Sequence, residues 1–261
     1  MPLEPHTGIH YELHGQGTPL FLGFPIFASH LEMFEGRQAG VLRGFLARLT
    51  DRYRVLVADY PSIGKSRSFA PEQLTVERAC EHMLAVADHA GFETFAWWGY
   101  SVGAVVGLHM ATRNDRLTAL AMGGWPPLGG DYTAMAHAAS VHVGNPPEHA
   151  KAVLRNDDQY RQWSTFWGSC VGWPEATLVP AIRCPRLAFA GADAVAEGGG
   201  MVIPYGATLR ERRSELQSMG WDIRLVEGRG HEVGLDAQVV APMLREFLDS
   251  SLPAERRHQA Q

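Results

Sequence analysis

Cysteine is scarce in this chain: Cys80, Cys170 and Cys184 are the only three. The odd count and scattered positions argue against a disulfide framework, and the missing Cys-x-x-Cys pair argues against structural zinc. No apolar run reaches the roughly 18 residues that a membrane span requires. The N-terminal MPLEPHTGIHYELHG has no charged start followed by an apolar stretch, so a secretory signal is not expected. Positive charge is not in excess either. The 23 Lys and Arg against 28 Asp and Glu give a net charge of −5, with both signs interspersed. Nucleic acid is therefore a poor partner. No His-Glu-x-x-His or comparable ligand cluster occurs, and the Gly198–Gly200 run has no strand before it, so it reads as a flexible loop and not a phosphate cradle. His10 and His14 are four apart but flank a strand, and they read as surface residues. These absences describe a soluble, cytoplasmic protein without metal or cofactor. The partner left is a small molecule, with no membrane or nucleic acid; a homo-oligomer stays open.

What is present is core material. Apolar residues make up 46% of the 261 positions and charged ones 20%, an ordinary balance for one large domain. Short apolar runs at residues 9–13, 19–23, 53–59, 94–100, 117–123, 185–190 and 221–226 read as strands. Helical spacing appears near 38–49, 76–89, 102–112, 209–219 and 238–248. Alternating strand and helix with continuous apolar strands implies an α/β fold with a mostly parallel sheet covered on both faces. Ligands in such sheets bind beyond the carboxyl ends of the strands. The stretch 125–182 shows no clear strand, only weak helical patterns near 134–141 and 148–166, and an insertion of that length at the ligand end is functional more often than structureless. The expected division is a core of 1–124 and 183–252, a cap of 125–182, and a polar, frayed tail of 253–261.

The stretch FAWWGYSVGAVVG carries the first chemical signal. Gly99-Tyr100-Ser101-Val102-Gly103 lies where a strand ends and a helix begins, the context in which a serine nucleophile is raised on a sharp turn. Glycines flank it because the backbone turns too tightly for β-carbons. A glycine-rich crossover would explain the glycines alone, but two further residues fall in register. His231, in VEGRGHEVGLD, sits in a glycine-flanked loop just past the last strand, where a general base belongs. Asp193, in LAFAGADAVAEGGG, ends the preceding strand and reads as the acid that orients the histidine, with Glu197 as its backup and an ordinary turn aspartate as the plainer reading. The chain order Ser, acid, His matches the nucleophile-elbow architecture.

From residue 9 to about 252 the chain resembles the α/β-hydrolase superfamily, in its single-domain form with a cap. The segments that carry the resemblance are WWGYSVGA, YRVLVADYPSIGKS, LAFAGAD and GRGHEVG. The resemblance implies a mostly parallel sheet of about eight strands, flanked by helices, with a small helical cap. It implies a Ser101–His231–Asp193 triad that attacks an ester, lactone or thioester through an acyl-enzyme, with the oxyanion held by the backbone amides of Phe24 and Val102. The pattern departs at two places. Ser62 replaces the first glycine of the family's Asp-x-Pro-Gly-x-Gly-x-Ser stretch, and Leu22 stands where a histidine usually precedes Gly23. A serine in the elbow argues against the aspartate-dependent epoxide hydrolases and dehalogenases. Carbon–carbon bond hydrolases, cofactor-free haloperoxidases, acyl-transfer or cyclisation enzymes, and non-catalytic binding proteins of the same fold stay open.

The aromatics have two readings. Trp97 and Trp98 lie in a strand and read as packing. Trp163 and Trp167 share one helix face at spacing four, which suits either a helix packed on the core or the wall of an apolar substrate pocket. Trp125, directly after the strand at 117–123, is the better pocket candidate by position.

Overall fold

The computed structural model describes residues 3–24, 40–151 and 153–252. The chain runs β1 (Tyr11–His14), β2 (Thr18–Gly23), α1 (Val41–Leu49), β3 (Tyr53–Ala58), α2 (Val76–His89), β4 (Phe95–Tyr100), α3 (Val102–Ala111) and β5 (Leu117–Gly123). It continues with α4 (Tyr132–His142), α5 (Asp157–Cys170), α6 (Glu175–Leu178), β6 (Arg186–Gly191), β7 (Ala196–Gly198), β8 (Met201–Ile203), α7 (Tyr205–Glu211), α8 (Arg213–Ser218), β9 (Trp221–Val226) and α9 (Ala237–Ser251). Seven strands form one sheet in the order β1-β3-β2-β4-β5-β6-β9. β1 pairs antiparallel with β3, and every other neighbour is parallel.

Apolar patterning explains the layers. The pleat sends successive side chains to opposite faces. In β4 this puts Phe95 and Trp97 into the cluster under α2 and α3, and Ala96, Trp98 and Tyr100 into the cluster under α1 and α9. α3 lies wholly in the first of these layers, and every residue from Val102 to Met110 is buried. A helix apolar all round belongs inside. α1 and α9 are instead amphipathic and bury Phe45, Leu49, Val240, Leu244 and Leu248.

Several expectations change. The main sheet has seven strands among the described residues, not about eight. At its N-terminal edge only an isolated bridge, Leu3 to His10, continues the pairing. The Glu4 carboxylate there accepts from the amide of His6, so residues 4–9 close a tight turn instead of extending. His10 is buried, not at the surface, with Nδ1 3.9 Å from Asp59 Oδ2. The loop after β3 covers it: the His10 amide donates to Ser66 Oγ, and the Arg67 amide to the Gly8 carbonyl. The Gly198–Gly200 region is the turn of the β7–β8 hairpin rather than a loose loop. The helical pattern at 148–166 splits, because Asn156 and Gln159 form a capping box that starts α5 afresh. The expected helix at 209–219 is likewise two helices, α7 and α8, meeting at Arg212. The tail at 253–261 lies outside the described residues. No described helix is long and apolar enough to cross a membrane.

Candidate active site

β4 feeds directly into Ser101, which adopts φ 56° and ψ −116° at the head of α3. A non-glycine residue at such a φ holds roughly 1–3 kcal/mol of strain, which the surrounding structure must impose. Three contacts impose it. The Ser101 amide donates to the Gly123 carbonyl at 2.8 Å. Trp97 Nε1 donates to the Gly103 carbonyl at 2.9 Å. The glycines allow the closeness: a β-carbon on Gly99 would lie 2.1 Å from the Gly103 oxygen. The N-terminus of α3 faces the turn, and its dipole favours negative charge there.

Gly103 also brings the end of β2 beside the elbow, since its α-carbon approaches the Gly23 backbone too closely for any side chain. Phe24, expected from sequence as an amide donor with Val102, thus follows a glycine that touches the first turn of α3. Leu22, where a histidine was expected, is fully buried between β3 and β4, paired with Val57 and Trp98. The Phe24 ring is edge-on to Phe45 and Trp98 at 5.4 and 5.0 Å, and Tyr60 Oη donates to the Phe24 carbonyl at 3.4 Å. Packing thus fixes this residue from the other side of the sheet. Residues 25–39, which continue the loop, lie outside the described set. Ser62 takes the left-handed conformation that its family glycine would take, with φ 62°. Its hydroxyl accepts from the Phe69 amide at 2.9 Å, which holds the turn without glycine.

His231 opens a short 3-10 turn, His231–Leu235, after β9. Tyr100 Oη donates to its carbonyl at 2.7 Å. Its ring lies 5.1 Å from the Tyr100 ring and 5.1 Å from the Tyr205 ring. A β-carbon on Gly124 would touch its Cε1 at 2.8 Å, so the imidazole lies against the chain just past the Gly123 carbonyl that holds Ser101. Serine and histidine thus share the carboxyl end of the sheet. They share no hydrogen bond among the described residues. His231 Nδ1 is sealed from water, with no hydrogen-bond partner among the described residues. Burial pushes its pKa down to about 4, against a small upward pull from Glu232. The ring is therefore neutral at pH 7.

Asp193 does not meet it. Its side chain is exposed, and its amide donates to the Arg229 carbonyl at 3.0 Å. The loop after β6 turns Asp193 outward and the next residue, Ala194, inward to 1% exposure. The backup, Glu197, is exposed on β7. Of the three residues expected as a triad, Ser101 and His231 lie at the same end of the sheet and Asp193 faces away, through the facing of one loop residue.

The tryptophans divide. Trp125 is buried, its ring 4.9 Å from Tyr132, 5.1 Å from Trp167 and 5.5 Å from Tyr205. Through Tyr205 it reaches His231. Trp167 closes the same cluster, while Trp163 packs edge-on to Tyr60 at 5.2 Å. All three are core-like, with exposures of 2–3%. Sequence reading missed Tyr100 and Tyr205, although Tyr100 stands inside the elbow motif itself. It also missed Gln159 and Gln162, whose side-chain amides donate to the Ser62 and Pro61 carbonyls at 2.6 and 2.8 Å. These two bonds tie α5 to the loop after β3. No cluster of metal-ligating side chains occurs among the described residues.

No family model matches the chain. A proposed carbamate hydrolase, RutD, of Azorhizobium caulinodans is 30% identical over 104 residues, 40% of this chain. The match spans only 35% of that relative's length. Among solved structures, an enol-lactonase from Burkholderia xenovorans LB400 superposes with a TM-score of 0.65 at 18% identity, covering 92% of this chain and 96% of that one. A thermophilic esterase from Thermogutta terrifontis gives 0.66 at 17% identity, with 93% of each chain covered. At these identities the likeness concerns the fold, and it extends over nearly the whole chain. Sheet order, a strained serine between strand and helix, and these superpositions agree: the chain is a member of the α/β-hydrolase fold.

Proposed function

We propose that the chain is a serine hydrolase acting on a small, largely apolar ester, lactone, thioester or carbamate. The observation that carries this reading is Ser101, held at positive φ on the head of α3 and at the same sheet end as His231. The names of the similar proteins, a lactonase, an esterase and a proposed carbamate hydrolase, support the substrate range. In the first half-reaction Ser101 Oγ bonds to the carbonyl carbon as its proton passes to His231 Nε2. The amides of Phe24 and Val102 stabilise the oxyanion of the tetrahedral intermediate. His231 then gives the proton to the leaving group as the scissile bond breaks. In the second half-reaction water loses a proton to His231 as its oxygen bonds to the acyl carbon; the acyl C–Oγ bond then breaks, His231 returns the proton to Ser101 Oγ, and the acid leaves.

The test is a fluorophosphonate probe followed by intact-mass analysis. Wild type is expected to gain one adduct, and Ser101→Ala none. Adduct-free wild type that still binds a small apolar ligand would favour the second reading, a binding protein on a hydrolase fold. The unpartnered His231 Nδ1 is the observation behind that alternative. A panel of short esters, lactones, thioesters and carbamates would then rank the substrate classes.

A further inference from the structure

We propose that His231 works without an acid partner, because Ala194 occupies the position from which a carboxylate would reach it, and that Tyr100 positions the histidine instead. The proposal rests on the reading of Ser101 as nucleophile and His231 as base. Its starting point is the pair of atoms that do not meet: a sealed Nδ1 without a partner, and an Asp193 carboxylate in solvent.

The surroundings of the imidazole can be taken element by element. β4 offers Tyr100, by ring contact and by its hydroxyl on the His231 carbonyl. α7 offers Tyr205, whose hydroxyl donates to Met135 Sδ at 3.3 Å and so turns away. The chain after β5 offers only the backbone of Gly124. The histidine's own loop offers Glu232, but its carboxylate is exposed and accepts from Arg229 Nε and the Gly230 amide. The loop after β6 offers Asp193 and Ala194. The Asp193 amide is pinned to the Arg229 carbonyl, two residues before His231, while the Gly206 amide donates to the Ala194 carbonyl at 2.9 Å. Gly206 follows Tyr205, which lies against the imidazole. Ala194 is thus the residue of this loop that faces inward beside the histidine, and a methyl group cannot accept a hydrogen bond.

The consequence is chemical. When His231 takes the serine proton, both ring nitrogens carry hydrogen, and Nδ1–H has no acceptor. Burial without a partner disfavours that cation, so proton transfer from Ser101 is uphill and slow. Orientation must come from elsewhere. The Tyr100 bond to the backbone and the two flanking tyrosine rings supply it.

The experiment compares wild type with Asp193→Asn, Ala194→Asp, Tyr100→Phe and His231→Ala. Fluorophosphonate labelling and p-nitrophenyl ester turnover are followed from pH 4 to 9, and the imidazole N–H protons by NMR. Asp193→Asn is expected to label within about twofold of wild type, whereas loss of a working triad acid costs about 10⁴-fold. Ala194→Asp is expected to speed labelling by about tenfold or more and to move the acid limb of the profile to higher pH, since a neighbouring carboxylate favours the histidine cation. It should also create a far-downfield imidazole N–H signal that wild type does not show. Tyr100→Phe should lower kcat several-fold with KM held. A hundredfold loss in Asp193→Asn, or the downfield signal in wild type, overturns the proposal. If Ala194→Asp does not fold, the Asp193→Asn and wild-type NMR arms still decide it. Failure of wild-type labelling, or labelling that survives in Ser101→Ala, would instead sink the hydrolase reading. The NMR arm reads separately whether His231 Nδ1 has an acceptor, so the two failures are distinguishable.

Discussion

Gly103 packs against Gly23 so closely that a β-carbon on it would lie 1.9 Å from the Gly23 carbonyl oxygen. This contact between the first turn of α3 and the end of β2 sets the distance between the elbow serine and the loop that carries Phe24. The obstructing atom is backbone, so no side-chain rotation relieves it.

Gly103→Ala is therefore expected to destabilise the protein by about 1–3 kcal/mol through overpacking, lowering Tm by several degrees. Fluorophosphonate labelling should fall as well, because relief comes only by moving α3 or the Phe24 segment. A variant with unchanged Tm and labelling would show that the contact does not set the site.

Trp97 Nε1 donates to the Gly103 carbonyl, and both groups are buried. Trp97→Phe keeps the aromatic packing against Phe21 but removes this second donor from a carbonyl that also belongs to the α3 ladder. A loss of about 0.5–1.5 kcal/mol follows from the lost buried hydrogen bond, measurable by urea unfolding, with no change in the far-UV circular dichroism of the native protein.

The two glutamines on α5 make the insert part of the site's frame. Gln162→Leu preserves bulk, removes the donor to the Pro61 carbonyl and is expected to cost about 1–3 kcal/mol. It should also raise KM more than it lowers kcat, because α5 carries Trp167 of the Trp125 cluster and not the reacting groups. Steady-state kinetics on an ester substrate would check it.

Stability should respond to pH through buried histidines. Burial lowers the pKa values of His82 and His231 to about 4 and of His109 to about 3, from an ordinary 6.5. The unfolded chain binds protons at these groups first as the pH falls, so unfolding gains from acidification. Their stabilising contribution is full above pH 6.5 and is lost as the pH drops from 6.5 toward 3–4. Carboxylates with lowered values, such as Asp51 beside Arg245, act only nearer their ordinary value of 3.8. The urea midpoint should thus decline already between pH 6.5 and 5, and His82→Gln should flatten that decline. A midpoint constant across this interval would contradict the burial of these rings.

Much of the architecture was written in short-range pattern. The buried strands were legible as apolar runs, and their alternation with helices implied the parallel sheet. The elbow was legible because its requirements are local: a strand, two glycines and a helix within a few residues of Ser101. His231 was legible from its glycine-flanked loop after the last strand. The turn at Ser62 kept its left-handed geometry without glycine because the Ser62 hydroxyl, four residues past β3, accepts from the Phe69 amide.

Chain pattern alone therefore supplied most of the elements, their order and the placement of Ser101 and His231 in loops at one end of the sheet, since steric and hydrophobic periodicity act over neighbouring residues. Folding in three dimensions settled which way Asp193 and Ala194 face, a choice of one residue that periodicity does not specify in a loop. It buried His10 under a segment more than fifty residues away, as the bond from its amide to Ser66 shows. It also joined Gln162 to Pro61 across 101 residues and set Tyr205 between Trp125 and His231. Those outcomes depend on packing between distant segments, and they define what stands around the histidine.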